Sequence, residues 1–341
     1  MMSRYDELNV PPCRPAPCLA VVVPCLDEAE ALPSTQRRLE ECMARFEDEG
    51  IVAPGSFILY VDDGSSDATW SVVCGLSERT SRVGGVRLAS NAGHQQAIMA
   101  GLEAALCSGC DAAVSIDADL QDDPEAIGGM LREYMRGADI VFGVRRRRRE
   151  GWFKKATARA FYRIRSALGV TTVRDHADYR LLSGRAVRAL LRYKESNLFL
   201  RGIVPMLGYN QSTVYYDRVP RLHGHSKYPL GKMLNFAADG ITSFSVRPAR
   251  MILGCGFFFM LIALAIFVYS LIRYFTDHTI PGWTSTILSI WFCSGMLLLA
   301  LGVVGEYLAK VYMEVKGRPR WQVEETTGVT ARDSLGNGTL P

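Results

Sequence analysis

LAVVVPCLDEAEALPSTQRRLEECMARFEDEGIVAPGSFILYVDDGSSDAT, residues 19–69, decides the fold. Its opening run, Leu19–Val23, is unbroken by polar residues, as expected of a strand covered on both faces. A helical pattern follows over residues 28–49. A second apolar run, Phe57–Val61, then ends at Asp62-Asp63-Gly64. Strand, helix and strand in that order predict a parallel crossover unit. The pattern continues with strands at 83–88, 112–116 and 139–142, a helix beginning near Asp67, and helices over 94–106 and 124–136. The expected fold class is α/β, a mainly parallel sheet with helices on both faces.

In such sheets ligands bind beyond the carboxyl ends of the strands, and the polar clusters fall there. Pro24-Cys25-Leu26-Asp27-Glu28 follows the first strand, and Asp62-Asp63-Gly64-Ser65-Ser66-Asp67 follows the second. Gly64 suits a tight turn and Ser66 or Asp67 a helix cap. A carboxylate at the second strand end can accept a hydrogen bond from a ribose hydroxyl or a base N–H. Asp117-Ala118-Asp119-Leu120-Gln121 follows the fourth strand. Alternation along an extended segment would place Asp117, Asp119 and Gln121 on one side. Three oxygen-bearing side chains there suit Mg2+ or Mn2+ already holding a diphosphate. Asp122, Asp123 and Pro124 read as a helix start, and His94 as another.

Charge is spread through residues 1–250 and then nearly vanishes until about residue 306. Residues 251–272 are uncharged and mainly apolar, roughly 33 Å as a helix against a hydrocarbon core of about 30 Å. A second such run covers 284–305. Lys and Arg flank the pair on the outside while the connecting loop holds only Arg273, which places the N-terminal domain and both termini in the cytosol. The expected organisation is a disordered leader (1–18), a catalytic domain (19–228), an interfacial helical segment (229–248), two transmembrane helices (249–308) and a cytosolic tail (309–341). In a bacterium the membrane would be the cell inner membrane.

With 39 basic and 35 acidic residues, a net +4, the chain is too balanced to call for nucleic acid. Nine scattered cysteines form no disulfide framework, and the Cys107–Cys110 pair has no second pair to make a zinc site.

The ordered set VVVPCLDEAE, VDDGSSDAT, NAGHQQA, DADLQDDP, YRLLS, RVPRLHGHSKYPLGKM and GEYLAKVYMEVKGRPRW resembles the family 2 glycosyltransferases of GT-A (Rossmann-like) fold. More narrowly it is similar to the dolichyl-phosphate mannose synthase and bactoprenol glucosyltransferase group. The resemblance implies a nucleotide sugar held by Pro24, Leu26, Glu28, Asp62, Asp63 and Asp117, with metal and diphosphate at Asp117, Asp119 and Gln121. It implies phosphate contacts from Arg145, Lys154 or Lys155, Arg218, Arg221, Ser226 and Lys227. Cys25-Leu26 stands where relatives often carry Tyr-Asn, and His176-Ala177-Asp178-Tyr179-Arg180-Leu181 where they often carry Gly-Asp-Phe-Arg-Leu; Asp178 still aligns.

A sugar hydroxyl acceptor needs a general base, whereas a phosphate monoester is largely dianionic at pH 7. It can attack the anomeric carbon with no proton removed. The site must then hold two anions together, a task for cations. Asp119, Asp178 and Arg145 are the expected catalytic residues: Asp119 with the metal, Arg145 on the attacking phosphate, and Asp178 orienting the sugar or acting as a weak base. One displacement inverts the anomeric centre. The expected partners are a nucleotide sugar, UDP-glucose first, a polyprenyl phosphate and membrane lipid, with no nucleic acid. A homo-oligomer stays open. GDP-mannose, UDP-N-acetylglucosamine and an amino-arabinose donor stay open as well. A processive polysaccharide synthase would need QxxRW, and Gly317 stands where the Gln should be; a non-catalytic lipid-binding scaffold would not need the intact acidic set.

Overall fold

The computed structural model describes residues 14–145, 176–195, 198–217, 258 and 283–328. Strands β1 (Leu19–Cys25) and β2 (Phe57–Asp62) are buried along their whole lengths, as their apolar runs require. Between them α1 (Leu32–Asp48) buries Leu32, Leu39, Met43 and Phe46 along one stripe. It starts four residues later than its periodicity suggests. Pro33 explains this, because proline lacks an N–H and its ring clashes with the carbonyl four residues back, so it is tolerated only in the first helical turn.

Four further elements alternate as expected: α2 (Thr69–Arg79), β3 (Val83–Leu88), α3 (His94–Cys107) and β4 (Ala112–Ser115). After α4 (Ala126–Met135) and β5 (Ile140–Arg145) come elements that the residue pattern left unread. These are β6 (His176–Ser183), α5 (Gly184–Leu191), α6 (Leu200–Met206), β7 (Gln211–Tyr216) and, near the end, β8 (Val323–Gly328). The sheet order is β7-β5-β6-β4-β1-β2-β3-β8. β6 and β8 run against the other strands. Burial hides β6 from a pattern reading, since Asp178 and Arg180 interrupt its apolar residues, yet Arg180 is as buried as its neighbours.

Helix α3 lies close on the sheet because Gly101 has no side chain: a Cβ there would come within 2.4 Å of Val22 Cγ1 and 2.7 Å of Val61 Cγ2. The first residue of α3 thereby reaches the carboxyl ends of the central strands.

Residues 319–328 group with the sheet, and within this part of the expected tail Val323–Gly328 forms its last strand, β8. An antiparallel edge position satisfies backbone groups that β3 would otherwise expose. Residues 283–318 belong to a second unit. They hold α7 (Trp283–Val315), which continues past the expected end at residue 305. A Glu306–Lys310 pair 3.7 Å apart, one helical turn of separation, lets the helix carry charge through that point. Its Phe292–Val315 stretch is long and apolar enough to cross a membrane, and Leu297, Leu298 and Leu301 are exposed. The 251–272 run and the 229–248 segment lie outside the described residues, apart from Phe258.

Candidate active site

The loops after β1 and β2 are tied into one lip. Asp27, at φ +54°, accepts at Oδ1 from the Ser66 N–H at 2.8 Å and the Ser66 hydroxyl at 3.1 Å. In return its own N–H donates to Ser65 Oγ at 2.9 Å, and the Glu28 N–H donates to Thr69 Oγ1 at 2.9 Å. Gly64, at φ +74°, could not be replaced without collision: a Cβ would sit 2.7 Å from the Asn91 nitrogen.

The paired carboxylates of this lip face inward. Asp62 is fully buried and accepts from the Ser65 N–H at Oδ1, 3.0 Å. Asp63 accepts from the Ala92 and Gly93 N–H groups at 2.8 and 3.0 Å, fastening the lip to the start of α3. Burial pushes the Asp63 carboxyl up, and those two amide donors work against it. Pro24 is buried as well, so of the six residues expected at the nucleotide sugar only Leu26, Glu28 and Asp117 have appreciable exposed surface. Leu26 is 41% exposed.

The segment after β4 is a turn, not the extended stretch expected. The Leu120 N–H donates to the Asp117 carbonyl at 3.2 Å, and Leu120 sits at φ +46°. Gln121 therefore does not project beside the two acids. It is buried and turned back on Asp119, whose oxygens accept from its backbone N–H at 3.2 Å and from its Nε2 at 2.7 Å. Asp117 opens outward with its side chain 43% exposed, and His94 Nε2 lies 3.4 Å from its Oδ1. Burial pushes the Asp117 carboxyl up; His94 opposes this, while Asp122, Asp178 and Asp119 add to it. A cation would relieve that crowding of negative charge.

Among the described residues no group of three or more His, Cys, Asp or Glu side chains could hold a metal ion. Two carboxylates nevertheless fit Mg2+ or Mn2+, which commonly take one or two from protein and the rest from substrate phosphates and water.

Asp122 and Asp178, whose charges act on Asp117, are themselves paired with arginines. Arg145 Nε donates to Asp122 Oδ1 at 3.0 Å, and its Nη2 lies 2.8 Å from the same oxygen and 3.2 Å from Oδ2. The Tyr216 hydroxyl donates to Asp122 Oδ1 at 2.6 Å. Asp178 is gripped by Arg180 and Arg201. Burial pushes its carboxyl up, but the two guanidinium groups outweigh that and hold it at about 2. Such a carboxylate orients well and takes up a proton poorly. Lys154, Lys155, Arg218, Arg221, Ser226 and Lys227 lie outside the described residues.

His94, Asp122, Arg180, Arg201 and Tyr216 thus contact the candidate residues, a role the residue pattern does not predict. Arg180 lay inside a quoted motif and His94 beside Gly93, a glycine at φ +95° that turns the chain into α3. Asp122 looked sufficient as a helix start. Arg201 and Tyr216 gave no local signal.

The sequence profile of Glycosyl transferase family 2 matches residues 20–196. The uncharacterized glycosyltransferase YkoT of Bacillus subtilis (strain 168) is 44% identical over 309 residues, 90% of this chain and 91% of that protein. The bactoprenol glucosyl transferase of Shigella phage SfX is 33% identical over 312 residues, 90% of this chain and 98% of that protein. Among solved structures, mannosyl-3-phosphoglycerate synthase from Rubrobacter xylanophilus has a TM-score of 0.45 at 18% identity, covering 69% of this chain and 74% of that one.

Proposed function

From a chain that belongs to glycosyl transferase family 2, we propose an enzyme that moves glucose from UDP-glucose onto a polyprenyl phosphate at the cytosolic membrane face, with inversion. The observation that carries this reading is the pairing of an outward-facing Asp117 with a buttressed Asp119 at the end of β4. Relatives named as bactoprenol glucosyl transferases align over nine-tenths of the chain and support the acceptor and the sugar. The apolar α7, together with the 251–272 run, supports a two-span anchor, and the Lys and Arg that flank the pair support both termini being cytosolic.

Asp117 and Asp119 would hold Mg2+ or Mn2+, which supplies charge neutralisation at the departing diphosphate. Gln121 fixes Asp119 for that task, and the braced lip of Leu26, Asp27 and Ser66 shapes the nucleoside end. The Asp178 carboxylate, kept ionised by Arg180 and Arg201, orients sugar hydroxyls. The acceptor needs no base, since the phosphate nucleophile is already ionised. Its oxygen bonds to the anomeric carbon as the bond to the diphosphate breaks. Arg145, on the N–H groups not turned to Asp122, holds that phosphate together with Lys154 or Lys155 and the Arg218, Arg221, Ser226 and Lys227 group.

The test is transfer of labelled glucose from UDP-glucose to undecaprenyl phosphate by purified full-length protein with Mn2+. Label in the organic phase, β-linked by NMR and abolished by Asp119→Ala, is the expected result. No lipid-linked label from UDP-glucose, GDP-mannose or UDP-N-acetylglucosamine would overturn the reading.

A further inference from the structure

The strand that follows α7 in the chain is fastened to the catalytic sheet at several points. The Trp70 Nε1–H donates to Glu325 at 2.7 Å, Ser77 and Thr327 share a hydroxyl hydrogen bond of 2.8 Å, and Arg320 donates to the Tyr193 carbonyl at 2.8 Å. One row of side chains then crosses from this edge to the lip. Asp62 is in register with Arg87, and Arg87 with Glu325. The next pair is Leu88 with Val323, so Glu324 is the extra residue of a β-bulge. Bulges commonly re-aim a side chain beside a site.

Here the bulge delivers a carboxylate to Arg87. Glu324 Oε2 lies 3.5 Å from Arg87 Nε, and Asp62 Oδ2 lies 3.8 Å from that same Nε. Neither Arg87 Nε nor Asp62 Oδ2 has a hydrogen-bond partner among the described residues, though both atoms are buried. Leaving two such groups unpaired is costly. A small shift of Arg87 would join them, and the Glu324 carboxylate, slightly closer to the same Nε, competes for it. Glu324 is 52% exposed and Asp62 not at all, so the balance can be altered from the surface. Were Arg87 to close on Oδ2, the carboxylate would turn and its Oδ1 would slacken on the Ser65 N–H that sets the lip.

We propose that β8 is a working part of the donor site, with Glu324 and Arg87 as positioning residues that set Asp62 and, through it, the loop from Asp63 to Ser66. This rests on the reading of the cleft as a nucleotide-sugar site.

Two measurements on the full-length protein in detergent test it. Glu324→Gln should raise the KM for UDP-glucose roughly fivefold or more, the range of an ordinary coupling between sites, and leave kcat nearly unchanged. Glu324→Asp should restore most of the affinity, and Glu324→Gln should add nothing in an Arg87→Gln background. Amide hydrogen exchange over residues 62–67 should be faster in Glu324→Gln than in wild type. That exchange is readable even if wild type transfers no sugar, an outcome that removes the donor-site assignment and with it the proposal. In an active enzyme, unchanged exchange together with unchanged KM, or a fall in kcat at constant KM, overturns the coupling itself.

Discussion

Arg201 on α6 and Asp178 on β6 meet side by side, Nη2 3.1 Å from Oδ2 and Nε 3.4 Å from Oδ1. Arg180 approaches the same carboxylate from within the sheet, 2.5 Å from Oδ1. A carboxyl held at about 2, against an unfolded value of about 3.9, stabilises the native state most fully above the unfolded value. That contribution is lost as pH falls through the folded one. Asp178→Asn should therefore lower the melting temperature by several degrees at pH 7. The gap to wild type should narrow between about pH 4 and pH 2. Melting curves at stepped pH check this, and a gap independent of pH in that window would contradict it.

Asp122 is buried and accepts from both Arg145 and Tyr216. Asp122→Ala should cost on the order of 2 kcal/mol, because it strands a guanidinium and a phenol O–H together. Thermal unfolding is the measure. A change within error would mean that both donors find other acceptors.

Gln121 touches Asp119 twice. Gln121→Ala removes the side-chain contact and should raise the Mn2+ concentration needed for half-maximal transfer by about tenfold, as loss of a ligand's supporting partner usually does. EDTA should stop transfer in both proteins, with Mn2+ restoring it. An unaltered metal requirement in the variant would remove Gln121 from this role.

Gly64→Ala meets backbone, not a movable side chain, at 2.7 Å and is strained at φ +74°. It should destabilise the protein by about 1–3 kcal/mol and weaken nucleotide binding as the lip shifts. UDP titration by calorimetry, set beside a melting curve, separates the two effects.

The α/β class was legible in the sequence because strands covered on both faces must be apolar throughout, and β1 to β4 sit within two residues of where their apolar runs place them, while β5 runs three residues further, to Arg145. The place of Asp117 and Asp119, just past the carboxyl end of β4, was legible because the apolar run before them fixes where that strand stops. What the side chains do there was not legible. Asp62 and Asp63, adjacent acids that invite a ligand, face inward to hold backbone amides, and Gln121 faces Asp119 rather than the cleft. Local sequence carries the period of an element, while the direction of a side chain at a turn depends on what packs behind it. β6, β7 and β8 depended on tertiary structure in the same way. A buried Arg180 is tolerable only beside Asp178, and the Val323–Gly328 strand exists as a strand only because β3 offers it an unpaired edge.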